Sequence, residues 1–297
     1  MTLETKARVL KAIEELDYTP VKAARVLRRQ RTQLIGVLLP DISNPFFSLM
    51  ARGVEGAAFE EGYSTLICDS NHSVEKEARY LELLLAEGVE GVVFVPVGRP
   101  DRARIERLLK RGIRIVAADR RAEGLPSVQA DNIGGSRAVT RHVLHLGYGR
   151  IAYIAGPPGV STADDRLRGF SEVMASAGLE AVATLRGDYT YESGYELGLQ
   201  VLRDDEAVDA ILCGNDLMAI GALQAARIAG RLVPSSLGVA GFDHIPLFGL
   251  LQPALTTVET PVKRLGQVAA ESLLRGAEGG KTLPVSVVKG NTCVERR

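Results

Sequence analysis

Tryptophan is absent, and the three cysteines, Cys68, Cys213 and Cys293, stand far apart in the 297 residues. Such spacing excludes a disulfide framework and the paired-ligand pattern of a structural zinc site. No apolar run approaches the roughly 20 residues that span a bilayer, and the start MTLETKARVLKAIEEL lacks a signal-peptide apolar region. The expectation is a cytoplasmic protein with no membrane partner. Motifs of catalysis and cofactor binding are also missing: no GxSxG elbow, P-loop, HExxH or CxxC, and no GxGxxG opening a helix after the first strand. An enzyme is therefore not expected, and neither is a cofactor. His72, His142, His145 and His244 show no metal-ligand spacing and read as surface residues.

Net charge is zero, yet it is unevenly spread. Residues 1–31 hold eight basic side chains against four acidic ones, and the five basic residues between Tyr18 and Arg31 face no acid. That arm suits a polyanion. Thr2–Leu16 has helical periodicity. Val21–Gln30 could form a second short helix, marginal alone in water and ordered by a phosphate backbone. Lys22, Arg25 and Arg28 would face phosphates, and Leu27 could wedge between base steps in a minor groove; a solvated basic linker has the same pattern.

A chain of this length exceeds one core, so two lobes are expected. They are organised around Leu34–Gly62. Leu34 to Leu39 is an unbroken apolar run, the pattern of a strand buried on both faces of a parallel sheet. Pro40 ends it, and Pro45 sits where a first helical turn tolerates a missing donor. Phe46, Leu49, Met50, Gly53, Val54 and Ala57 then follow at helical spacing.

Strand and helix patterns alternate from there: strand Ser64–Asp69, helix Val74–Glu87, strand Gly91–Val97, helix Asp101–Arg111 and strand Ile113–Asp119. Strand Val128–Asp131 and helix Ile133–Leu146 follow. A second series runs through strand Arg150–Ala155, helix Asp164–Ala177, strand Ala181–Leu185, helix Tyr191–Leu202, strand Asp209–Cys213, helix Asp216–Ala229 and strand Gly238–Phe242. Thr256–Glu259, helix Pro261–Leu274 and strand Val285–Lys289 complete the chain. This rhythm requires mainly parallel sheets with right-handed crossovers, an α/β fold in two similar halves.

Polar residues that follow strands form a set: Asp41, Asp69, Asp119 with Arg120, Asp131 with Asn132, Asn215 with Asp216, and Asp243. Open α/β sheets bind ligands at this carboxyl edge. Two such edges facing each other enclose a cleft for a small polar ring, with carboxylates and amides for its hydroxyls and Phe46, Phe47 and Tyr189 for its apolar face. The candidate site residues are Asp41, Asn44, Phe46, Phe47, Asp119, Arg166, Tyr189, Asn215 and Asp243. Competing roles exist: Asn44 can cap the helix, Phe47 can fill core, Asp69 can serve a turn, and Arg166 can pair with Asp164 or Asp165 at the surface. Asp131 and Asp216 read as helix caps.

The blocks TKARVLKAIEELDYTPVKAARVLRRQRTQLIGVLLPDISNPFF, DNIGGSRAVTRHVLHLGYGRIAYIAGP, RLRGF, GDYTYESGY, AILCGNDLMAIGAL, GVAGFDH and PALTTVETPVKRLG resemble, in order, those of the lactose/galactose-repressor (LacI/GalR) family of bacterial transcription regulators. The resemblance spans essentially the whole chain. It implies two periplasmic-binding-protein-like (type I) doubly wound parallel-sheet subdomains behind a short helical N-terminal arm. It also implies a homodimer, a sugar, sugar-derivative or purine effector in the cleft, and operator DNA as a partner of the full-length protein. By motif, the hinge helix is Val21–Arg29, and Arg166, Asn215 and Asp243 match effector-contacting positions.

The implied division is 1–33 for the headpiece remnant and hinge, 34–130 with 261–284 for the N-subdomain, and 131–260 with 285–297 for the C-subdomain. Nothing in the sequence as given precedes the third headpiece helix, and Val21 stands where the family has an asparagine. The chain is thus expected to bind effector without specific operator binding. The alternative is a solute-binding component of a transporter.

Overall fold

The computed structural model describes residues 32–246, 253–276 and 279–296, with positions 5, 8, 11, 12 and 15 near the amino end, and those five are helical. The expected hinge helix Val21–Arg29, with Lys22, Arg25, Leu27 and Arg28, lies outside the described residues.

The apolar run becomes β1 (Leu34–Leu39), an interior strand, one in from the edge, of a six-stranded sheet with β2 (Ser64–Asp69), β3 (Gly91–Phe94), β4 (Arg114–Ala118), β5 (Ser127–Ala130) and β11 (Gly280–Leu283). The order is β11-β5-β4-β3-β1-β2, and every pairing is parallel. Ile35, Val37, Leu38 and Leu39 are fully buried, at about 1.5–3 kcal/mol of hydrophobic stabilisation each. Its helices are α1 (Pro45–Glu60), α2 (Val74–Ala86) and α3 (Arg102–Lys110).

The second lobe is a parallel sheet in the order β7-β6-β8-β9, from β6 (Ile151–Ala155), β7 (Ala183–Arg186), β8 (Ala210–Cys213) and β9 (Gly238–Ala240). Its helices are α4 (Asn132–His145), α5 (Ser161–Ser176), α6 (Tyr191–Asp204) and α7 (Asp216–Ile228). Both sheets share the doubly wound pattern in which the first strand lies between the second and third. Chain direction therefore reverses beside β1 in one lobe and β6 in the other, leaving a crevice at each carboxyl edge.

The end of the chain departs from expectation. After β10 (Thr257–Glu259) and α8 (Val262–Arg275), the chain forms two short strands rather than one: β11, which joins the first sheet, and β12 (Ser286–Val288), antiparallel to β10. Pro284 separates them and donates to neither ladder. Strand β3 also stops three residues early, because Val95 makes the last bond to Leu38 and Pro96 has no N–H to give.

Helix α8 returns to pack on α1, and two glycines set how close they come. A Cβ on Gly53 would lie 2.1 Å from the Lys263 carbonyl oxygen, and one on Gly266 would lie 2.2 Å from that of Met50. Gly56, on the same α1, has no such neighbour within 4 Å. Gly266→Ala should therefore push the helices apart and destabilise by about 1–3 kcal/mol. Gly56→Ala should stabilise by about 0.5–1 kcal/mol through helix propensity. Urea unfolding midpoints test the pair; equal shifts of one sign would contradict the close approach.

Candidate functional site

The two carboxyl edges enclose a cavity of about 320 Å³. Asp41, Asn44, Phe46, Phe47, Asp119, Arg166, Tyr189, Asn215 and Asp243 all line it, so the structure brings the nine candidates together. Asp69 is not among the lining residues; its Oδ1 accepts from Asn71 N at 3.0 Å in a turn.

On the N-lobe side, Asn44 both lines the cavity and caps α1, its Oδ1 accepting from Phe46 N at 3.0 Å. Phe46 and Phe47 meet edge to face, with centroids 5.2 Å apart, and are 3% and 4% exposed, so both are core as well as wall. Asp41 turns the loop by accepting from Ser43 N and Oγ. Asp119 follows β4 with φ +62°, and its buried Oδ1 has no hydrogen-bond partner. Arg120, also buried, donates to the Pro96 carbonyl at 2.9 Å and lies over the Phe47 ring. Its Nε makes no hydrogen bond but stands 3.9 Å from Asp119 Oδ2 in a buried ion pair.

On the C-lobe side the centre is Arg166. It does not pair with its neighbours in sequence: Asp165 takes Arg121 and Asp164 takes Arg186. Arg166 is 3% exposed. Nη2 stands 2.9 Å from Asp243 Oδ1, Nε donates to Asn132 Oδ1 at 2.8 Å, and Nη1 donates to the Gly214 carbonyl at 2.6 Å. The guanidinium stacks 3.9 Å from the Phe242 centroid. Tyr189 stands beside it with φ +74°, and its hydroxyl shares a hydrogen bond with Thr162. Gly156 must lack a side chain here, since a Cβ would lie 2.2 Å from the Tyr189 ring.

The expected cap at Asp216 is corrected by these contacts. Asn215 caps α7 through Met218 N and gives its Nδ2 to the Tyr189 carbonyl. Asp216 is fully buried, accepting from Thr257 Oγ and Ile245 N. A residue one step inside the helix points under β10 rather than back at its own first turn, which is why the capping role passes to Asn215. Asp131 does cap α4, through Gly134 N.

His72 is exposed, as expected of a surface histidine, and it also lines the cavity rim, 3.8 Å from Asp41, in a turn where Asn71 and His72 both take positive φ. Arg120, Thr162, Tyr191, Glu192 and Leu217 line the cavity without having been among the candidates. For Arg120 the signal was its place beside Asp119 at a strand end. The others are common residue types in helix starts and gave none.

Burial raises Asp243 to about 7, with Arg166 pulling the other way. Burial likewise raises Asp119, against Arg120 and Arg166, and raises Asp216. Burial works against the charge on Arg166, but Asp243, then Tyr189 and Asp119, outweigh it and hold the group above its ordinary value. A cavity with carboxylate acceptors, guanidinium donors and aromatic walls can grip a polyhydroxylated ring in one orientation.

The chain matches the family described as periplasmic binding proteins and sugar-binding domain of the LacI family over residues 32–287. It is 38% identical to the ribose operon repressor of Halalkalibacterium halodurans, over 93% of this chain and 82% of that one. A lac repressor dimer bound to operator and the anti-inducer ONPF superposes with TM-score 0.88 at 27% identity, covering 99% of this chain and 91% of that one. A LacI-family regulator from Enterococcus faecium with bound ribose superposes with TM-score 0.80 at 28% identity, covering 89% of this chain and all of that one. Among the described residues no helix is long and apolar enough to cross a membrane.

Asp243, Asp119 and Asp216 all bind protons more tightly in the folded chain than in the unfolded one, and for Asp243 the window runs from pH 3.8 to about 7. The contribution of Asp243 to stability is complete below that window and is lost as pH rises through it, and the other two acids act in the same direction. Asp243→Asn should flatten that fall, read as urea midpoint against pH. A slope unchanged by the substitution would contradict the assignment.

Proposed function

The chain belongs to the family of periplasmic binding proteins and LacI-type sugar-binding domains, and from that premise we propose that its effector is D-ribose or a closely related pentose. As a LacI-family protein it is a ligand-responsive transcription regulator, with operator DNA and a second copy as partners of the full-length protein. Relatives named as repressors favour this over a transporter's solute-binding component. The reading also takes the protein as cytoplasmic and non-enzymatic.

One observation carries the effector reading. The buried Arg166 and Asp243 pair faces the unpartnered carboxylate oxygen of Asp119 across a cavity walled by Phe46, Phe47 and Tyr189. A buried acceptor left without a donor costs about 1–3 kcal/mol, and adjacent ring hydroxyls are the donors that suit it. The ribose repressor among the relatives and the ribose-bound neighbour support a pentose among the sugars that fit.

In this reading Asp41, Asn44, Phe46, Phe47 and Asp119 hold the ring from residues 34–130 with 261–284. Arg166, Tyr189, Asn215 and Asp243 hold it from residues 131–260 with 285–297. Asn44 and Asn215 act mainly by fixing the loops that carry their neighbours, since their side chains are engaged within the protein. A ring bridging both lobes favours one lobe spacing. That spacing is transmitted to residues 21–29 and to DNA, with effector and operator affinities coupled reciprocally by about 1–3 kcal/mol.

Thermal shift over pentoses, hexoses, nucleosides and purines tests the reading. Ribose should stabilise most, by about 2.7 kcal/mol at a hundredfold excess over Kd. Arg166→Met should weaken binding by about 2–5 kcal/mol. Stabilisation by a purine and by no sugar would overturn the pentose assignment.

A further inference from the structure

A second cavity, of about 350 Å³, opens between the same two lobes and shares only Arg120 with the first. Its N-lobe wall is the loop after β3, Pro96 to Pro100, with Arg120, Arg121 and Glu123 after β4. Its C-lobe wall is Gly159, Val160 and Ser161, where α5 begins. Two cavities at one lobe junction differ sharply in charge. The first is lined by Asp41, Asp119, Glu192 and Asp243 against Arg120 and Arg166. The second is lined by Arg99, Arg102, Arg120 and Arg121 against Glu123.

Not all four guanidinium groups are free. Arg121 is held by Asp165 through two oxygens. Arg102 meets Glu106 in an exposed pair, which at the surface contributes little. Arg99 is exposed and makes no side-chain hydrogen bond or ion pair among the described residues. Arg120, 3% exposed, gives Nη1 to Pro96 and turns Nε toward Asp119 Oδ2 at 3.9 Å, too far for a hydrogen bond. Helix α5 starts at Val160, which offers no side-chain cap, so the first N–H groups at that end await another acceptor. Guanidinium forks and the positive end of a helix together recognise a tetrahedral oxyanion.

We propose that this second cavity binds a small phosphate-bearing anion, and that its occupancy tightens effector binding in the first cavity through Arg120. The acidic first cavity repels such an anion, so the two ligands sort to different places. Arg120 forms the shared wall: one nitrogen is tied to Pro96 and its plane lies over Phe47. The Nε edge already faces Asp119 Oδ2 at 3.9 Å, so an anion drawn to the guanidinium from the second cavity fixes it beside Asp119, on the effector's side. Because the anion touches both lobes, it also favours the lobe spacing that the effector favours, which is positive coupling.

The coupling half of the proposal rests on the sugar reading; the anion half does not, and calorimetry separates them. The protein is titrated with inorganic phosphate and with ribose 5-phosphate, each with and without ribose, at ionic strength matched with sodium chloride. Binding is expected for a phosphate-bearing ligand without sugar present and with ribose bound, and ribose affinity should rise about fivefold or more. Inorganic phosphate acting as well as the ester identifies free phosphate as the ligand; the ester acting alone identifies a phosphorylated metabolite.

Charge reversal by Arg99→Glu with Arg102→Glu should weaken the anion about tenfold or more and leave ribose affinity without anion unchanged. Acids in the first turn of α3 suit its dipole, so this variant keeps its helix. No binding above the chloride control, displacement of the anion by ribose, or a response that survives the double variant overturns the site. Anion binding that leaves ribose affinity unmoved overturns the coupling. Failure of ribose alone sinks the pentose reading and leaves the anion arm standing.

Discussion

A guanidinium with almost no exposure is the constraint on which the C-lobe half of the site depends. Arg166 cannot be buried unpaired, because the desolvation of an isolated charge is several kcal/mol even after relaxation. Its four partners come from three places: Asp243 and the Phe242 ring after β9, Asn132 at the start of α4, and the Gly214 carbonyl after β8. Strand ends and helix starts of the lobe must converge to supply them. Such a network specifies an arrangement more than it adds stability, since a well-packed apolar replacement is often no less stable.

Backbone strain marks the same places. Asp119, Tyr189 and Asp243, with φ of +62°, +74° and +111°, occupy the left-handed region without being glycine. Conformations of this kind persist only where their surroundings over-determine them. Here the surroundings can be named. Asp119 N is bound to the Val128 carbonyl and Asp243 N to that of Val258. The Tyr189 carbonyl takes the Asn215 amide, and Asp216 grips Ile245 two residues past Asp243. Asn215 and Asp216 thus act on the cavity chiefly through the loops they hold.

That division explains what could be read in the sequence. Unbroken apolar runs such as Leu34–Leu39 announce central parallel strands, and Asp119, Asn215 and Asp243 stand out because each ends such a run. Position in the chain therefore located the site. Roles within it were less legible. Whether Asn215 or Asp216 caps α7 depends on the direction of one side chain, and that an exposed His72 also reaches the rim depends on two positive φ values in a turn. Strands of three or four residues, such as β11 and β12, carry too little pattern to separate from a loop, and only their partners define them.

The acids buried in the cleft carry a cost that gives a ligand its leverage. Two buried acids that line the cleft, Asp119 and Asp243, sit with their proton affinities raised, and Asp119 keeps an oxygen without a donor. These groups would be better solvated in an open cleft than in a closed one without ligand. A ring whose hydroxyls donate to them removes the penalty only when both lobes are close enough to reach it. The difference in interaction between the two lobe spacings, and not the total affinity, is what can be transmitted to DNA. Burying acids against arginines at the lobe junction, at some expense of stability, is thus what makes closure conditional on an occupant.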